Sequence, residues 1–191
     1  MQSYKIVAVG DGATGKTSLL QTFATDKFPD LYEPTVFDNY STTMLYNDSI
    51  MSLHLWDCAG QEDYKDMRKL SYPNTDVFVL CYSCISPASY NNLDQWVQEI
   101  QEYEPNARIV IVCTKVDCLK DPEVLEKCTE KHIQPLTTAD VLKLNQKWPQ
   151  IPTVECSAKT GFNVKQVFHV AIDLMRRPPL DTTKQSCCVI A

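Results

Sequence analysis

Short, nearly continuous runs of valine, isoleucine and similar residues recur along the chain at residues 5–9, 77–82, 109–113 and 153–156. Apolar runs of this length, bounded by polar turns, predict strands covered on both faces. The stretch Met51-Ser52-Leu53-His54-Leu55 alternates instead, which predicts a strand with one face more exposed. Between the runs the period becomes helical. In the last such segment Val164, Val167, Phe168, Ala171, Ile172 and Met175 share one face of a 3.6-residue repeat. Arg176-Arg177 close it and Pro178-Pro179 stop it. Residues 86–103 and 138–148 read as two more helices. Residues 121–131 read as a further, mostly charged helix in which only Val124, Leu125 and Cys128 can pack inward. A solvated surface helix and a partner-facing insert both fit that pattern. Strands alternating with helices predict an α/β fold, a mostly parallel sheet with right-handed crossovers.

Composition narrows the class. The 191 residues suit one domain, expected over residues 1–179, followed by a polar tail over 180–191. The formal net charge of −6 argues against nucleic acid as a partner, because that needs a basic face. No run approaches the ~18 apolar residues of a membrane span. The start runs straight into a strand and Lys5 interrupts it, so no signal peptide is expected. Nine cysteines are many, and an odd number. Cys81-x-x-Cys84 lacks a second pair, and His54, His132 and His169 show no ligand spacing. The cysteines read as reduced and mostly core, apart from two in the tail.

Chemistry concentrates at the ends of the strands. Gly10-Asp11-Gly12-Ala13-Thr14-Gly15-Lys16-Thr17 follows a strand and opens a helix, the context that G-x-x-x-x-G-K-[ST] requires. Small residues let backbone N–H groups turn toward a phosphate, and the helix N-terminus adds positive potential. Lys16 is placed to reach β- and γ-phosphates, and the Thr17 hydroxyl to meet Mg²⁺. Thr114-Lys115-Val116-Asp117 ends a strand on the same side. A carboxylate at Asp117 can accept from N1–H and the exocyclic amine of guanine, whereas adenine would leave it poorly paired. Ser157-Ala158-Lys159 ends the next strand at matching height, where a backbone N–H can meet guanine O6.

These motifs make the chain resemble a small GTPase of the Ras superfamily, and within it a Rho-family member of Rac type, over residues 4–177 and then the tail. Residues 32–40, YEPTVFDNY, resemble the Rho-family first switch, with Asp38 pointing to the Rac side. Trp56, Ser71-Tyr72-Pro73 and the insert at 121–131 agree. The resemblance implies a single P-loop G domain with a six-stranded, mostly parallel sheet flanked by helices. It also implies that Phe28 stacks edge-on against the base and Thr35 completes the Mg²⁺ shell. By the same likeness, Asp57 would hold a metal-bound water and the Gly60 N–H would contact the γ-phosphate. The resemblance further implies that Gln61 orients the attacking water and that Gly12 leaves room for it and for an incoming arginine finger. Ala13, Ser18 and Tyr32 join the nucleotide-binding set, and Asp38 and Tyr40 belong to the effector surface. Gln61, Lys16 and Gly12 thus form the expected catalytic group.

The resemblance also implies partners: guanine-nucleotide exchange factors, GTPase-activating proteins, a dissociation inhibitor, and effector kinases and scaffolds that drive actin remodelling. A monomer is expected. Departures from the family pattern are Thr14, Glu33, Cys58 and the charge order of Lys65-Asp66-Met67-Arg68-Lys69. Ser157 and Lys159 look more Ras-like than Rac-like. None removes a catalytic group. Residues 27–40 carry no arginine, so slow intrinsic hydrolysis is expected. Cys188-Val189-Ile190-Ala191 matches a prenylation box, with farnesyl and geranylgeranyl both open. One lipid anchors only marginally, which makes Cys187 a palmitoylation candidate and the cytosol and the cytoplasmic face of the plasma membrane the expected locations. Two other readings share some of these features: a GTP-loaded scaffold that does not cycle, and an ATP-using P-loop kinase. Gln61 and Gly12 argue against the first, and Asp117 with the lack of a lid-like arginine run argues against the second.

Overall fold

The computed structural model describes residues 2–31 and 34–176. Six strands form one sheet: β1 (Gln2–Val9), β2 (Phe37–Tyr46), β3 (Ser49–Cys58), β4 (Val77–Ser83), β5 (Arg108–Thr114) and β6 (Thr153–Glu155). Seven α-helices accompany them: α1 (Lys16–Thr25), α2 (Lys65–Lys69), α3 (Pro87–Asn91), α4 (Leu93–Tyr103), α5 (Pro122–Glu130), α6 (Thr138–Lys147) and α7 (Val164–Arg176). The strand order is β2-β3-β1-β4-β5-β6, with β2 antiparallel to β3 and every other pair parallel.

Alternation along the central strands sorts the core into two layers. Ile6, Ala8, Val77, Val79, Val110 and Val112 face α1 and α7, where Phe23 and Phe168 stack with centroids 3.6 Å apart. Val7, Val9, Phe78, Leu80, Ile109 and Ile111 face the other way, against Leu93, Trp96 and Ile100 of α4 and Leu144 of α6. Continuous apolar runs therefore mean burial on both faces. Over the alternating part of β3, Met51, Leu53 and Leu55 are fully buried while His54 is exposed, as the pattern requires.

One expectation needs correction. The helix expected over 86–103 is two. Asn92 has ψ −4°, short of helical closure, and its side chain is committed elsewhere. The sixth strand, β2, is an edge strand of mostly exposed residues, so no apolar run announced it. In α7, Met175 is partly buried and packs against the core, and Leu174 beside it is buried as well. The charged insert is present as α5, capped by the Asp121 carboxylate, which accepts from the Glu123 and Val124 amides. Cys128 is its one buried residue. All seven cysteines among the described residues are unpaired. No helix among the described residues is long and apolar enough to cross a membrane.

β1 lies between β3 and β4, which leave it in opposite directions across the sheet. That reversal opens a crevice at the carboxyl ends of the strands, where ligands of doubly wound sheets bind. The loop following β1 occupies it.

Candidate functional site

The loop between β1 and α1 turns on glycine. Gly10 has φ 128°, and a Cβ there would run into the Cys81 carbonyl on β4. Gly15, at φ 96°, turns the chain into α1, with Leu19 N–H closing on its carbonyl at 3.0 Å. Lys16 is 6% exposed and donates to the Gly10 and Asp11 carbonyls, both at 2.8 Å. Burial lowers its pKa, with Asp57 and Asp11 among the charges that oppose the shift. An ammonium held this way at the N-terminus of α1 is poised for a polyanion.

The end of β5 braces the same loop. The Thr114 hydroxyl lies against the carbonyl of Thr14 and donates to that of Tyr82, and Lys115 Nζ donates to the Ala13 carbonyl at 2.7 Å. Lys115 therefore supports the phosphate loop as well as lining the base recess. Thr14 is buried and donates to the Asp11 carbonyl at 2.9 Å, so this departure from an apolar residue adds a tie within the loop.

Three side chains converge beside Lys16. The hydroxyls of Thr17 and Thr35 lie 2.7 Å apart. Asp57, fully buried at the end of β3, has no hydrogen-bond partner for either carboxylate oxygen. Burial raises its pKa; the nearby Thr17 hydroxyl and the Lys16 charge pull the other way. A buried, orphaned carboxylate is costly, and its natural partner is a cation. Two hydroxyls and one carboxylate form a hard oxygen set that suits Mg²⁺ retaining water ligands. The residues present fit that ion.

Ala13, Ser18, Pro34 and Gln61 line the cavity around this point with the loop itself. Gln61 is exposed at the start of a 3₁₀ turn, Glu62–Tyr64. A Cβ placed on Gly12 would meet Gln61 Cγ at 3.8 Å, an ordinary contact, whereas one on Gly60 would overlap the backbone from Gly10 to Gly12. Gly60 thus packs directly on the phosphate loop.

A second cavity of about 190 Å³ lies beyond Gly15. Phe28, Lys115, Asp117, Ala158 and Lys159 line it, as the sequence suggested, together with Asp121 and Val124 from the start of the insert. Ser157 does not. Its amide donates to the Phe162 carbonyl at 2.9 Å and its hydroxyl accepts from Thr160 N–H, so its role is to shape the loop. Ala158 and Lys159 are left to face the recess. On β2, Tyr40 donates to Asp38 at 2.8 Å and accepts from Gln21 of α1 at 3.0 Å; burial pushes its phenol up to about 12. Tyr32, Cys187 and Cys188 lie outside the described residues.

Sequence reasoning missed the far wall. Asp11, Arg68, Tyr72, Asn92, Trp96 and Glu99 form a polar cluster behind Gln61, joined by hydrogen bonds 27–85 residues apart in sequence. No local pattern could mark them.

A family model described as the Ras family matches residues 5–177. That span contains the phosphate loop, the orphaned carboxylate and the base recess together. The chain therefore belongs to the Ras family and is a small GTPase, a guanine-nucleotide-binding switch that hydrolyses GTP.

Proposed function

We propose that this protein is a Rho-family switch of Rac type that hydrolyses GTP slowly and depends on a partner's arginine for speed. The observation that carries the hydrolytic part is Gln61 lying over Gly12, next to Gly60 and the Thr17–Thr35–Asp57 cluster. In this reading Lys16 neutralises the β- and γ-phosphates, and the amides of Ala13 to Ser18 cradle them. Asp117 reads guanine by accepting from its N1–H and amine, an Ala158 or Lys159 amide meets O6, and Phe28 covers the base edge. Thr17 and Thr35 would hold Mg²⁺ through their hydroxyls, and Asp57 would hold it through a water. The ion, when bound, spreads the negative charge developing on the phosphate oxygens. Gln61 orients the attacking water, and the missing arginine over residues 27–40 keeps the intrinsic rate low, on the order of 10⁻⁴ to 10⁻³ per second as in Ras.

Loss of the γ-phosphate frees Thr35 and Gly60, and with them the surface around Asp38 and Tyr40. Asp38, Trp56 and the insert helix α5 support the Rac-type assignment, with actin-directed kinases and scaffolds as effectors. Cys188 carries an isoprenoid and Cys187 a palmitoyl group, which together place the protein at the cytoplasmic face of the plasma membrane, exchanging with the cytosol through a dissociation inhibitor.

Single-turnover phosphate release from GTP-loaded protein tests the hydrolytic claim. Wild type should be slow and strongly accelerated by a Rho-family activating protein, and Gln61→Leu should respond to neither time nor activator. Release identical in both proteins would favour the alternative, a scaffold that remains GTP-loaded.

A further inference from the structure

The cluster behind Gln61 has a definite direction of support. Asp11, on the phosphate loop, points away from the nucleotide site, and its two oxygens accept from Trp96 Nε1–H and from Asn92 Nδ2, each at 2.8 Å. The same indole carries the Arg68 guanidinium over its face, 4.6 Å from the centroid. Arg68 is only 2% exposed although it belongs to the short, surface-facing helix α2. Its Nε and Nη2 form a fork with both carboxylate oxygens of Glu99, each at 3.0 Å, and Tyr72 donates to the same carboxylate at 2.7 Å. A planar guanidinium fixed on three sides has little freedom left. Its remaining nitrogen, Nη1, donates to the backbone carbonyl of Gln61 at 3.0 Å. The Tyr64 amide, at 3.2 Å, is the other donor to that carbonyl.

We infer that Arg68 is a positioning residue for hydrolysis: locked by Glu99, Tyr72 and the face of Trp96, it fixes the Gln61 backbone and hence the direction in which the glutamine side chain leaves its loop. Trp96 ties that lock to the phosphate loop through Asp11, so loop and glutamine share one frame. The inference rests on the reading of Gln61 as the residue that orients water. Gln61 is solvent-exposed and starts a short turn, so its aim depends on what holds its main chain. A displacement of about 1 Å in such a group can cost on the order of 100-fold in rate.

The test compares Arg68→Lys, Glu99→Gln, Gln61→Leu and the double variant Arg68→Lys/Gln61→Leu, each loaded with GTP and Mg²⁺. Single-turnover hydrolysis, GTP dissociation rate and melting temperature are read for all four. Lysine keeps the charge near Glu99 but lacks the fork, so it should not hold both the carboxylate and the Gln61 carbonyl. Arg68→Lys and Glu99→Gln should each slow hydrolysis at least tenfold, with GTP dissociation within twofold of wild type. In the double variant Arg68→Lys should add nothing to the Gln61→Leu loss. Should Arg68→Lys fail to fold, Glu99→Gln and Tyr72→Phe carry the same comparison. Normal hydrolysis in Arg68→Lys and Glu99→Gln beside a dead Gln61→Leu would overturn the positioning role and leave the catalytic reading of Gln61 intact. Slower hydrolysis that merely tracks faster GTP loss or a lower melting temperature would overturn it too, by making the cluster a fold brace. Normal hydrolysis in Gln61→Leu would overturn the catalytic reading and this inference with it.

Discussion

At the scale of single residues, two glycines that look alike in sequence differ in what surrounds them. Gly12 has room: an added Cβ meets only the flexible Gln61 side chain, at 3.8 Å. Gly60 has none, because the same atom would overlap the backbone of the phosphate loop, which cannot yield without moving the nucleotide site. Gly12→Ala should therefore bind GTP as wild type does, its added methyl resting against the Gln61 side chain without displacing it. Gly60→Ala should bind GDP normally yet be unable to bring its loop against the phosphate loop. Measured as the ratio of GTP to GDP affinity, Gly12→Ala should stay within about threefold of wild type. Gly60→Ala should fall by about tenfold or more, the scale of 1–2 kcal/mol of steric conflict. Equal ratios for both variants would show that Gly60 has no need to close. Most of the residues lining the two cavities were legible in the sequence, because they lie in short contiguous motifs. For Ser157 the motif gives the loop, and only the fold shows that its amide turns to Phe162.

Elements were legible where burial imposes a period. β1, β4 and β5, covered on both faces, betray themselves by continuous apolar runs; β2, an exposed edge, does not. The break at Asn92 escaped because a residue that helices tolerate is drawn by a partner 81 residues away. Helix α6 shows how a local signal can be quantified. Asp140, in its first turn, accepts from Lys143 at 2.8 Å and from both the amide and the hydroxyl of Thr137 at 2.9 Å. The Lys143 ammonium and the Thr137 amide hold its carboxyl down at about 2. The exposed lysine contributes little to stability, and most of the value comes from capping. Asp140→Ala should cost about 1 kcal/mol at neutral pH, a fall of about 2–4 °C in melting temperature. Because the folded pKa lies below that of the unfolded chain, near 3.9, the stabilisation is present above pH 4 and fades as pH falls toward 2. The difference between wild type and variant in chemical denaturation should shrink over that window, and a constant difference would mean the carboxylate charge is irrelevant.

For the whole molecule the decisive feature is the place of β1, flanked by β3 and β4, which puts the phosphate loop at the point where the sheet reverses. Alternating strands and helices implied the class of fold but not this order, which follows from crossovers that no local pattern encodes. The same holds for the Asp11–Trp96–Arg68–Glu99 cluster: contacts between distant segments are a property of the assembled sheet. That assembly gathers an unpartnered Asp57 and a buried Lys16 at one spot, so the fold itself carries an electrostatic cost that ligands relieve. Anything bound only by the folded state stabilises it by mass action, about 4 kcal/mol at a thousandfold excess over Kd. GTP with Mg²⁺ at that excess should raise the melting temperature by about 8–16 °C. Chelation of the metal should remove a substantial part of the gain, because the carboxylate again lacks its cation. Asp57→Asn removes the charge the ion answers, so its metal-free protein should melt no lower than wild type while losing most of the chelator-sensitive shift. A full chelator-sensitive shift in Asp57→Asn would place the ion on Thr17 and Thr35 alone, and the buried carboxylate would then need another partner.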